Sequence, residues 1–124
     1  MNEITKKLLR TVSDWTGKFE GAYNIREDGC CAGRVSTEHI KIDSKTDNPG
    51  LDIYILPGTK GETVSIPACV THGNVDDLVY NDFYVGENAD VIIVAGCGVH
   101  TENGEPARHN GIHRFFLEPG SHVK

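Results

Sequence analysis

Apolar and polar positions follow two different periods along this chain. From Ile4 to Trp15 the apolar residues fall at 4, 8, 9, 12 and 15, a stripe with the spacing of one helix face, and Lys6, Lys7 and Arg10 lie off it. The pattern predicts an N-terminal amphipathic helix within residues 1–17, closed by Gly17. After Gly21 the period becomes two. "HIKID" alternates, "LDIYIL" puts Leu51, Ile53 and Ile55 on one face, and "TVSIPACV" does the same for Val64, Ile66, Ala68 and Val70. "FYVG", "DVIIVA", "IHRFFL" and "HVK" continue the series, separated by turn-forming "EDG", "DNPG", "PGTKG", "GEN", "ENGEP" and "EPG". Residues 18–124 are therefore expected to form one mostly β core.

Such short, regularly punctuated strands suit a sandwich, a jelly roll or a β-solenoid. Internal similarity favours the solenoid. Residues 54–72 and 83–100 share the order apolar strand, Gly turn, apolar strand, and each closes on Cys-x-x-His, with 28 residues between Cys69 and Cys97 and between His72 and His100. Stacked coils produce repeats of this kind. The two units also nominate Cys69, His72, Cys97 and His100 as a Cys2His2 set for zinc, because thiolate and imidazole are its preferred ligands. A cysteine ending an apolar strand is more often a small buried hydrophobe.

Composition removes several function classes. The chain has 124 residues, the length of one domain, and a formal charge of −6, which is wrong for a protein gripping a phosphate backbone. Four cysteines, at 30, 31, 69 and 97, form no dense disulfide framework. The N-terminus lacks the long apolar segment of a signal peptide, and "VIIVA" is far too short to span a bilayer, so a cytoplasmic location with no membrane partner is expected. No nucleophile elbow, phosphate loop, dinucleotide fingerprint or His-x-His is present. The enzyme alternative is a small metal-binding jelly roll of cupin type. His109 and His113 fit it poorly, sharing a strand face but standing two pleats apart.

The segment "DVIIVAGCGVHTENGEPARHNGIHRFFLEPGSHVK" resembles the core of the SufB/SufD family, in which an apolar strand ends at Gly-Cys and a connection carrying histidines leads to an H-x-x-x-H strand. "GAYNIREDG" and "STEHIKI" are similar to the preceding part of that core in short, SufB-like members. The resemblance implies a right-handed parallel β-helix and a scaffold for iron–sulfur cluster assembly, not an enzyme. It also implies partnership with a SufC-like ABC ATPase, a SufB/SufD-like subunit and a sulfur donor. Its sulfur-accepting cysteine maps onto Cys97, with His100, His109 and His113 as neighbours for a transient cluster or its iron. Ala95 stands where the SufB motif has glutamate. Set against the family, the chain stops before the later coils and the SufC-docking helices, so a truncated member is expected. An open coil would favour a homo-oligomer.

Cluster assembly fits the residues chemically. Cysteine alone among side chains takes up sulfane sulfur as a persulfide and then shares it with iron, and a nearby imidazole can lower the thiol pKa or ligate the metal.

Overall fold

The computed structural model describes residues 1–13 and 15–124. Helix α1 (Glu3–Ser13) occupies the predicted stripe, shorter than the 1–17 segment. It is capped by Asn2, whose Oδ1 accepts a 2.8 Å bond from the Thr5 amide. Among the described residues eleven strands follow: β1 (Ala22–Glu27), β2 (Cys30–Val35), β3 (Ile40–Ser44), β4 (Gly50–Ile55), β5 (Lys60–Ser65), β6 (Ala68–Val70), β7 (Asp76–Val85), β8 (Asp90–Val94), β9 (Cys97–Val99), β10 (Arg108–Leu117) and β11 (His122–Val123).

The mostly β expectation is met, but the right-handed parallel β-helix is not. Both sheets are mixed. In the first, with order β11-β8-β5-β1-β6-β9, β2 pairs antiparallel with β1; in the second, with order β10-β7-β4-β3, β3 pairs antiparallel with β4. The reason is connection length. Only Asp28 and Gly29 separate β1 from β2, both at positive φ (49° and 83°), as a type I′ hairpin turn requires, and so tight a link can join strands only antiparallel. The repeated units do pair in parallel, β5 with β8 and β6 with β9, while β4, β7 and β10 form a parallel ladder.

Two apolar cores result. Between the sheets lie Ile40, Ile42, Ile53, Ile55, Val64, Phe83, Val85 and Val91, the inward positions that alternation marked. Beneath α1, Leu9 packs with Ile25 and Cys69. Strand β1 is thus covered on both faces. It also runs beside two strands, Ala22 and Tyr23 pairing with β5, Arg26 and Glu27 with β6. The chain bends between β5 and β6 at Pro67, which has no N–H to give, and between β8 and β9 at Ala95 and Gly96; the Ala68 amide still bonds to the Gly96 carbonyl across the bends.

Candidate functional site

The bends leave a cavity of about 230 Å³ between the sheets. Its first wall is a cross-strand row. Arg26, Ala68 and Cys97 are successive partners from β1 through β6 to β9, so their side chains share one face, and small Ala68 leaves room between Arg26 and Cys97. The opposite wall comes from β7 and β10, where Asp77 faces His109, Val79 faces Gly111 and Asn81 faces His113.

One ion network orders this wall. Asp77, nearly buried, receives bonds from Arg26 Nε (2.9 Å) and Nη2 (2.8 Å), and its Oδ2 lies 2.9 Å from His109 Nδ1. That pairing turns His109 Nε2 away from Asp77. Burial alone would raise the Asp77 pKa, but the bonds from Arg26 and His109 outweigh it and hold the carboxyl below its ordinary value. Burial lowers the His113 pKa, with the neighbouring His109 adding to the effect, which favours the neutral imidazole. Because the folded-state pKa of Asp77 is depressed, its stabilising contribution is complete above the usual aspartate value near 4 and disappears as pH falls through the lowered one. Thermal melts from pH 7 to pH 2 are expected to show a shallower acid loss of Tm for Asp77→Asn than for wild type, from a lower starting Tm.

Cys69 and Cys97 do not share a site. The sequence repeat places them 28 apart, whereas the β6–β9 ladder pairs Ala68 with Cys97 and Cys69 with Gly98, a register of 29. One residue of slip reverses the face. Cys97 consequently looks into the cavity, while Cys69 is sealed under α1, where burial pushes its thiol up to about 11. His72 lies 2.8 Å from Asp28 Oδ2, which raises its pKa, on the wall of a second cavity with Thr71, Glu102 and Glu105. His100 follows β9 as an exposed residue and lines neither cavity. Of the predicted site residues, the fold brings Cys97, His109 and His113 to one cavity. Among the described residues no three or more histidine, cysteine or acidic side chains are already arranged around one ion.

No protein-family model matches this chain, and no curated protein or solved structure is significantly similar to it. Among the described residues, no helix is long and apolar enough to cross a membrane.

Arg26, Asn24, Asp77 and Asn81 were not marked by sequence reasoning. A polar residue at an inward position of an apolar strand was the available signal: Asn81 interrupts the buried series Val79, Phe83, Val85. Gly96 and Gly98, which flank Cys97, face α1, where a Cβ on Gly98 would stand 3.0 Å from Leu8 Cδ2 and one on Gly96 3.3 Å from the Val12 carbonyl. The glycines let the helix lie against β9. Gly98→Val is expected to lift α1, seen as faster amide hydrogen exchange over residues 3–13 with β4, β7 and β10 still protected.

Proposed function

We propose that this protein accepts sulfane sulfur on Cys97 as part of an iron–sulfur cluster assembly scaffold. The observation that supports this is the setting of Cys97. Its strand is fixed by pairing with β6, yet the residue is exposed and lines a cavity shared with two imidazoles, whereas Cys69, one strand away, is buried with a raised pKa. Sulfur transfer needs a thiolate that is held in position and can be reached. The likeness of residues 90–124 to the SufB/SufD core supplies the cluster-assembly context.

In the transfer step the Cys97 thiolate attacks the outer sulfur of a donor persulfide. A new S–S bond forms at Cys97 as the donor's S–S bond breaks, and the donor leaves as a thiolate with no net oxidation. Arg26 and the histidines place positive or hydrogen-bonding groups near the anionic persulfide. Iron and sulfide are cargo here, passed on once assembled. A SufC-like ATPase, a SufB/SufD-like subunit and a second copy of this chain are the partners this reading requires. The test is mass spectrometry after incubation with a cysteine desulfurase and cysteine: a sulfur adduct of 32 Da multiples on the Cys97 peptide is expected, and its absence rejects the proposal.

A further inference from the structure

On β10 the sequence His-Asn-Gly-Ile-His places His109, Gly111 and His113 on one face, at alternate positions. Two histidines four apart on a strand are normally too distant to act together. Here the intervening residue has no side chain, and both rings lean into the space it leaves. A Cβ built on Gly111 would lie 3.3 Å from His113 Nε2 and 3.6 Å from His109 Nε2. The two nitrogens therefore flank one small space that opens on the cavity.

Three further features suit that space to a metal ion. Asp77 Oδ2 lies 2.9 Å from Nδ1 of His109, the carboxylate–histidine contact that orients metal-ligating rings, and this puts Nε2 on the side away from Asp77. Across the ladder from His113 stands Asn81, only 6% exposed, lining the cavity. Cys97 completes the surroundings from the facing sheet.

We infer that His109 and His113 bind a borderline divalent transition-metal ion in the space beside Gly111, with its remaining coordination positions open toward Asn81 and Cys97. Ligation would hold both Nε2 atoms about 2.0–2.1 Å from a zinc ion, and imidazole suits zinc and iron alike. Two protein nitrogens with open positions make an exchangeable site rather than a closed structural one. The inference deepens the scaffold reading, giving its iron a point of arrival beside the sulfur acceptor. It rests on that reading only for the identity of the cargo.

Cobalt(II), followed by its visible absorption under anaerobic conditions, is the probe. Cys30→Ser combined with Cys31→Ser supplies the background, removing the other exposed thiols. One equivalent of cobalt(II) is expected to bind, and His109→Ala and His113→Ala to weaken it about tenfold or more. Gly111→Ala keeps both imidazoles but fills the space between them, so it is expected to weaken binding comparably with an unchanged circular dichroism spectrum. His100→Ala is expected to bind as the background does. The inference is overturned if the background protein takes up no cobalt(II), or if Gly111→Ala and His113→Ala retain its affinity. Metal binding and persulfide loading are measured separately, so each can fail while the other stands.

Discussion

Cys97→Ser is expected to abolish persulfide loading while leaving the fold intact, and Cys30→Ser, Cys31→Ser and Cys69→Ser are expected to load at wild-type stoichiometry. Serine differs from cysteine at one atom, and the Cys97 side chain lies at a cavity wall, so the substitution neither opens a void nor buries an unpaired hydroxyl. Loss of loading then reports chemistry, because an alcohol of pKa far above that of a thiol cannot attack a persulfide at neutral pH. Cys69 makes the sharper comparison. It is the other half of the apparent repeat, lies one strand away and is free, but its thiol is 0% exposed and raised to about 11. Alkylation by iodoacetamide at pH 8 should separate the two, Cys97 reacting in the folded protein and Cys69 only after denaturation. Equal loading of wild type and Cys97→Ser would remove Cys97 from the mechanism.

Phe83→Ala is expected to be the most damaging core truncation, costing about 3–5 kcal/mol. Phe83 is 0% exposed near the C-terminal end of β7, flanked across the ladders by Ile53 and Phe115. Its ring stacks on that of Phe115, centroids 4.8 Å apart and planes 8° from parallel. Domains of this kind have about 5–15 kcal/mol in all, so a large part of the total is at stake. Phe115→Ala removes the same stacking partner from a side chain 46% exposed on an edge strand, and should cost much less. The measurement is the urea midpoint at constant slope. A smaller loss for Phe83→Ala than for Phe115→Ala would contradict the placement of the core.

Where one face of an element is buried and the other wet, the sequence was readable. The stripe through Leu8 and Leu9 became α1, and the alternation of Leu51, Ile53 and Ile55 became the inward face of β4. Strand β1 escaped notice because both its faces are covered, Ile25 by the helix and Asn24 by the cavity side, so "AYNIRE" shows no alternation. Missing it hid the β1–β2 hairpin, and with the hairpin the mixed character of the first sheet. The register was illegible for a local reason. From Glu62 to Val70 the β5–β8 and β6–β9 ladders hold a register of 29, one more than the 28 on which the two Cys-x-x-His motifs align, so matching the motifs puts each residue on the wrong face. The site was partly legible. Cys97, His109 and His113 were identified by type and spacing, but Asp77 and Arg26 meet across 51 residues of sequence, a separation that no local pattern encodes.

The parallel ladder β4-β7-β10 also governs how the chain reaches this structure. Ile53 meets Phe83 and Phe83 meets Phe115, so each step must close a loop of roughly thirty residues before any of its contacts form, at an entropic cost that local hairpins avoid. High contact order of this kind places folding in the millisecond-to-second range rather than microseconds. The β1–β2 hairpin, joined by two residues, is the natural early event, and β10 is the element with the longest wait. Until it docks, Asp77 and Asn81 lack their partners on the β10 side and the histidines have no common space, so the cavity is complete only at the end of folding.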